Sequence, residues 1–189
     1  MDDLAKKTRL DAVLSTIYGT KLVDTYRASA DSALRLSYGR GRPRPLFLGA
    51  APKVILAFMA RPQLVRIYES CAAEAASCGL GASWSEFRSR LTEIRQQGFY
   101  WSRGELEAKV SGAAVPVINA EGDIAAALAL VGLSESLEDA GERRLKSWLE
   151  RAQDDIQARL AQGVRPPSPA PQRTVSKKAT PARRSAMVP

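Results

Sequence analysis

The chain contains no histidine and only two cysteines in 189 residues, and both shortages limit its chemistry. Without histidine it lacks the commonest general base, a major metal ligand and the usual Ser/His/Asp or Cys/His arrangements. Cys71 and Cys78 are too few and wrongly spaced for a disulfide framework or a zinc site, so we interpret them as buried thiols. The sequence therefore predicts a protein that is not an enzyme and holds no metal or cofactor.

Long apolar runs are also missing. The longest candidate, Ile124–Leu133, falls well short of the roughly 18 apolar residues of a membrane span. The chain opens with Asp2 and Asp3 and lacks a basic segment followed by an apolar one, which is the arrangement of a secretory signal. We expect a soluble, cytoplasmic protein that makes no contact with a membrane.

Positive charge is concentrated near the C-terminus. Residues 165–189 contain six Lys or Arg and no acid, whereas the formal net charge of the whole chain is +8. The remainder is nearly neutral and shows no basic stripe of the kind that holds DNA. Because Pro, Ser, Ala, Lys and Arg dominate after Gly163, we expect one domain over residues 1–163 and a disordered basic tail over residues 164–189.

Two hydrophobic periods alternate along the predicted domain, which favours an α+β fold. Strand-like segments cover residues 12–18, 22–26, 33–38, 99–101, 113–118 and 124–131, with hairpin turns at residues 19–20 and 119–122. Helical spacing predicts the last turns of a helix at residues 2–9, a helix from Pro52 to Met59, one over residues 64–75, one after a capping box at Ser83, and one from about Ser136 to Leu160.

The stretch over residues 45–59 is the first candidate for a binding site. Its small residues 49–51 form a predicted loop, and Pro52 is typical of the first position of a helix. No side chain before Pro52 is suited to cap the N–H groups of Lys53 and Val54. These groups either bind an anion at the positive end of the helix or belong to a tight turn in a packed core.

A basic segment precedes this stretch. Residues 39–45 include Arg40, Arg42 and Arg44 among glycines and prolines that break regular structure. The segment is either a solvated loop or a loop that guards an anionic ligand, with Arg44 as a countercharge at the rim of the site.

The order of these elements closely resembles the C-terminal effector-binding domain of IclR-family transcriptional regulators. The resemblance covers about residues 4–160 and is carried by residues 38–53 (YGRGRPRPLFLGAAPK), 94–99 (IRQQGF) and 113–132. It implies a GAF-like antiparallel sheet of about six strands with helices on its faces. It also implies a small-molecule effector, usually a carboxylate or an aromatic acid, and assembly as a homodimer or tetramer.

The resemblance further implies which residues contact the ligand. Ala129 and Val131 are often hydroxyl-bearing in relatives but are apolar here, and they share one face of a strand. A pocket with fewer donors favours a larger or aromatic ligand over a small keto acid, or indicates that sensing has been lost. The implied ligand-binding positions are Leu36, Arg44, Ala50, Ala51, Ser102, Gly112, Ala129 and Val131.

The family places a winged helix-turn-helix ahead of this domain, and we expect this chain to begin too late to contain it. DNA would then be bound only through that missing domain, or weakly and without sequence preference through the basic tail. The predicted function is a small-molecule sensing domain that controls transcription through effector binding and oligomerisation. The alternative is a stand-alone regulatory interaction protein that has lost both sensing and DNA reading.

Overall fold

The computed structural model describes residues 1–29 and 42–163. The strand predicted over residues 33–38 and the tail predicted from residue 164 lie outside the described residues, so both stay predictions. Helices and strands follow one another in the order α1 Asp2–Thr8, β1 Asp11–Tyr18, β2 Lys21–Ala28, α2 Ala50–Phe58, α3 Arg61–Ser77, α4 Trp84–Gln97, β3 Tyr100–Arg103, β4 Val110–Ile118, β5 Ile124–Leu133, α5 Ser134–Ala140 and α6 Glu142–Ala161.

The described strands form one antiparallel sheet in the order β2-β1-β5-β4-β3. Both predicted hairpins are present: Tyr18 pairs with Lys21 across the first turn, and Asn119 N–H donates to the Asp123 carbonyl at 2.9 Å across the second. The predicted α+β fold is confirmed, with five of the predicted strands placed in this sheet.

Each face of the sheet carries its own hydrophobic core. Helices α2, α3 and α4 pack on one face, and α1, α5 and α6 pack on the other. Because side chains alternate along a strand, Ala127 and Ala129 of β5 face the first group of helices while Leu128 and Leu130 face the second. The small residues on the first face allow α2 to lie close to the sheet.

Helix α2 begins at Ala50, two residues earlier than the predicted start at Pro52. The backbone break lies at Gly49, whose φ of 95° favours glycine. Pro52 then occupies the third helical position, where its missing N–H costs nothing because the first turn of a helix has no internal acceptors for its N–H groups. The predicted loop over residues 49–51 was therefore wrong for Ala50 and Ala51, which are buried in the first helical turn.

The single helix predicted from about Ser136 to Leu160 was also wrong, because two helices occupy this segment. Gly141, with φ of 75°, separates α5 from α6. The predicted apolar stripe still packs on the sheet: Leu145 and Leu149 are fully buried, whereas Leu160 at its far end is 44% exposed. The capping box before α4 is present, since Ser83 Oγ accepts the Glu86 N–H at 3.3 Å.

Helix α6 also covers part of a strand edge. Among the described strands, β3 pairs with β4 only as far as Ala114, and no other described strand pairs with this edge of β4 beyond that residue. Two glutamines of α6 bond to this edge: Gln153 Nε2 donates to the Pro116 carbonyl at 2.6 Å, and Gln157 Oε1 accepts the Ile118 N–H at 2.7 Å. These bonds block pairing of the edge with another strand.

Candidate functional site

A small cavity lies between the first turn of α2 and the face of the sheet. Its volume is about 30 Å³, room for one or two water molecules. It is lined by Val13, Ser15, Arg44, Gly49, Ala50, Ala51, Ser102, Leu106, Val110, Ser111, Gly112, Ala129 and Val131.

The structure gathers at this one cavity every predicted ligand-binding residue that it describes. Leu36 lies outside the described residues, and the other seven all line the cavity. Strand register explains the grouping, because Ser102, Gly112 and Val131 are direct partners across β3, β4 and β5. Ala129 pairs with Val13 in the next row. Ligand contact by these residues stays a prediction.

The N-terminus of α2 presents backbone to the cavity. Its N-cap residue Gly49 offers no side chain, and the Gly49 N–H donates to Glu105 Oε2 at 2.9 Å. The N–H groups of Ala50 and Ala51 follow in the first turn, where a helix leaves its N–H groups without internal acceptors. The sequence placed the free N–H groups at Lys53 and Val54, and the earlier helix start moves them to the cavity wall.

Arg44 is buried in the cavity wall and is not the rim residue that the sequence indicated. It is 8% exposed and forms an ion pair with Asp24, which is 1% exposed. Ser15 Oγ donates to the same carboxylate at 2.8 Å. Arg44 also forms a backbone bridge with Leu22 of β2, so the break in regular structure predicted for residues 39–45 does not extend to this residue. A charge this deeply buried is stable only when paired, which explains the inward position.

Two serine hydroxyls make the cavity more polar than the sequence suggested. Ala129 and Val131 are apolar, but Ser15 and Ser102 lie on the same face of the sheet and line the space. Ser111 also borders the cavity, but its side chain points toward the opposite core because it alternates with Gly112 along β4. Ser102 Oγ donates to the Gly112 carbonyl at 3.3 Å, and Ser111 Oγ shares a hydrogen bond of 2.8 Å with the Ser134 hydroxyl. The resemblance indicated Ser102 alone. Ser15 could have been found only from the strand register, because it follows two residues after Val13, the partner of Ala129.

A second polar cluster joins α2 to the loop between β3 and β4, residues 104–109. Glu105 in this β3–β4 loop accepts a hydrogen bond from Lys53 Nζ at 2.7 Å and another from the Tyr100 hydroxyl at 2.9 Å. Lys53 Nζ also donates to the Tyr100 hydroxyl at 3.2 Å. Burial raises the pKa of Tyr100 above its ordinary 10.0; the Lys53 charge opposes this rise and the Glu105 charge adds to it. This cluster could not be predicted from the sequence, because no spacing links a loop glutamate to a helical lysine 52 residues away.

Neither a metal site nor a membrane-spanning helix is present among the described residues. Within residues 1–29 and 42–163, no group of three acidic or cysteine side chains could hold a metal ion. None of the helices in these ranges is both long and apolar enough to cross a membrane.

Two solved structures that share this fold are domains of transcriptional regulators. The C-terminal domain of the regulator KdgR from E. coli has a TM-score of 0.71 and 22% identity, covering 85% of this chain and 93% of that one. The inducer-binding domain of PobR from Acinetobacter, solved as a double mutant with 3-hydroxybenzoic acid, has a TM-score of 0.69 and 19% identity, covering 82% and 92%.

The family model for the bacterial transcriptional regulator IclR C-terminal region matches residues 1–158, so the chain belongs to this family. Among curated proteins, the HTH-type transcriptional regulator XynR from Escherichia coli K12 is 30% identical over 118 residues. That match covers 62% of this chain but only 47% of XynR. The family and fold are those of transcriptional regulator domains, which are not enzymes, and both the predicted family and the prediction of a non-enzyme are confirmed.

Proposed function

We propose that this chain is the effector-binding domain of an IclR-type transcriptional regulator and that its cavity binds a small carboxylate or aromatic acid. The observation that carries the proposal is the gathering of seven predicted positions around one cavity at the N-terminus of α2. The PobR inducer-binding domain, which shares the fold and was solved with 3-hydroxybenzoic acid, supports an acid as the ligand class.

The charges around the cavity indicate how an acid would be held. Arg44 is already neutralised by its ion pair with Asp24, so little of its positive charge remains to attract a ligand. The N–H groups of Ala50 and Ala51 and the positive end of α2 are the groups suited to receive a carboxylate. The hydroxyls of Ser15 and Ser102 would then orient polar substituents on the rest of the molecule.

The size of the cavity sets a condition on this proposal. A volume of about 30 Å³ is far below the roughly 150 Å³ of a cavity that holds benzene. An aromatic acid therefore requires part of the wall to move, whereas a two- or three-carbon acid requires a smaller displacement. The preference between these two groups of acids is measurable.

Thermal melts with a panel of 2-oxo acids and substituted benzoates, each beside its amide, test the proposal. A specific acid should raise the melting temperature by mass action, and its amide should not. Calorimetry should then show that Ala129→Ser shifts preference toward smaller, more polar acids, because a positioned hydroxyl rewards a ligand that pairs with it. Ala126→Ser is the matched control, since Ala126 lies on the same strand but packs in the opposite core.

Two results would count against a sensing role. If no acid in the panel stabilises the protein, the alternative of a regulatory interaction protein without sensing gains support. If Ala129→Ser and Ala126→Ser alter acid preference equally, the ligand does not contact the cavity face of β5.

We further propose that the chain assembles as a homodimer or tetramer, as the family resemblance implies. DNA reading would require a winged-helix domain, and the chain itself would bind DNA only weakly through its basic C-terminal residues. Light scattering that gives a monomer at high micromolar concentration contradicts the assembly. Sequence-specific binding that survives removal of residues 165–189 contradicts the weak DNA contact.

A further inference from the structure

The β3–β4 loop closes one side of the cavity through Leu106, and the preceding residue, Glu105, holds the loop in place. Glu105 Oε2 accepts hydrogen bonds from the Gly49 N–H at 2.9 Å and from Lys53 Nζ at 2.7 Å. Its other oxygen accepts the Tyr100 hydroxyl at 2.9 Å. One carboxylate thus fastens the loop to both α2 and β3.

The loop is also the part of the described wall that can move at least cost. The strand residues and the first turn of α2 that line the cavity belong to the sheet and the cores. Residues 104–107 are only half-buried, and residues 108–109 are exposed. Within the described residues, backbone bonds hold the loop mainly at its C-terminal end: Gly104 N–H to the Val110 carbonyl at 3.1 Å, Val110 N–H to the Glu107 carbonyl at 2.9 Å and Ser134 N–H to the Lys109 carbonyl at 2.9 Å. Segments with few buried contacts open locally more readily than core strands.

We propose that the β3–β4 loop is a lid over the cavity and that Glu105 is its latch, a positioning residue that sets how often the cavity opens. The role of the lid rests on the proposed function of the cavity as the effector site. Opening the lid separates the carboxylate from Lys53, whose side chain is 6% exposed, and leaves that ammonium without its counter-charge. Charge-assisted hydrogen bonds to a buried ion are among the strong ones, so the latch keeps the open state rare.

Alkylation of a cysteine placed in the cavity measures opening without any effector. Ser102→Cys supplies the thiol, in a full-length chain in which Cys71→Ser and Cys78→Ser remove the native thiols, and iodoacetamide is the probe. Adding Glu105→Gln should speed modification by about tenfold, the effect of losing one charge-assisted hydrogen bond. The matched control Glu138→Gln removes an exposed ion pair at the base of the same loop and should change the rate by less than about twofold.

Two further measurements separate a latch from general support of the fold. A thiol introduced by Ala113→Cys lies in the opposite core and is reached only by global unfolding, so it should react far more slowly than a thiol at position 102 and should be accelerated by low urea, whereas the rate at position 102 should not. Lys53→Met should speed modification at position 102 as Glu105→Gln does, and the double variant should add little because both changes break the same contact.

Equal rates at position 102 with and without Glu105→Gln would overturn the latch, and so would the same urea dependence of the rates at positions 102 and 113. These outcomes are independent of the acid panel: failure of every acid to bind would contradict the proposed function and leave the alkylation result standing.

Discussion

Removing either member of the Arg44–Asp24 pair should destabilise the fold strongly, and removing both together should cost clearly less than the sum of the two single changes. Asp24 is 1% exposed and Arg44 8%, so a single change leaves an uncompensated charge in the interior. We expect Arg44→Met and Asp24→Asn each to cost about 3–5 kcal/mol of the free energy of unfolding. For a domain of this size, that cost corresponds to a fall of about 6–20 °C in melting temperature.

The double variant isolates the interaction between the two charges. Asp24→Asn keeps an acceptor for the Ser15 hydroxyl, and Arg44→Met fills much of the arginine volume with an uncharged chain. The combined cost should fall short of the sum of the single costs by at least about 2 kcal/mol. Urea titrations read by tryptophan fluorescence, with a constant slope across the four proteins, measure all three costs.

Single costs below about 1 kcal/mol that simply add would refute the reasoning, because such values belong to solvent-screened pairs. The pair would then be open to water, and Arg44 would be available to an incoming acid as a countercharge. The same measurement is a control for binding experiments. If Arg44→Ala no longer binds an acid, the loss can be assigned to a missing contact only after unfolding of the variant has been excluded.

Three further changes test the packing, the ionisation and the strand edge. Gly132→Ala should cost about 1–3 kcal/mol of the free energy of unfolding in urea titrations, because a Cβ at this position would lie 2.5 Å from the buried Leu10 side chain. Gly112→Ala is the control and should be close to neutral, because its nearest atom would be 3.6 Å away. Equal costs for the two variants would contradict this packing. Because the pKa of Tyr100 is raised in the folded state, folded Tyr100 keeps its proton at pH values where the unfolded chain loses it. The free energy of unfolding should therefore fall as pH rises above 10.0, and Tyr100→Phe should make that fall shallower. Parallel plots of unfolding free energy against pH for the two proteins would contradict this. Gln157→Ala should lower the free energy of unfolding by about 1 kcal/mol, because it removes the acceptor of the part-buried Ile118 N–H; an unchanged free energy would contradict this and would mean that water replaces the glutamine.

Much of the fold followed from the sequence because its signals were local. Alternating apolar residues, two short turns and a capping box placed the described strands and α4 to within a few residues. The start of α2 was missed because Pro52 is a strong first-position signal, and the helix in fact begins after Gly49. The break at Gly141 was missed because polar residues on both sides continue a helical pattern across it.

The candidate site was likewise predictable only in part. The described residues that the family resemblance indicated lie together at the cavity, because they belong to the strands and the helix that line it. The partners of those residues were not predictable: the burial of Arg44 depends on Asp24 in a strand 20 residues earlier, and Glu105 reaches Gly49 across 56 residues. Such contacts depend on strand register and loop path, which apolar periodicity does not encode.

The wall that separates the cavity from the second core is a single strand thick. Along β5, Ala129 borders the cavity while Leu128 and Leu130, its immediate neighbours in the chain, pack among α5 and α6. A lasting displacement of the backbone at Ala129 is passed on to both leucines, because adjacent residues share rigid peptide planes. Since the far face is close-packed, we expect a change of backbone position at the cavity to be felt by the side chains of α5 and α6.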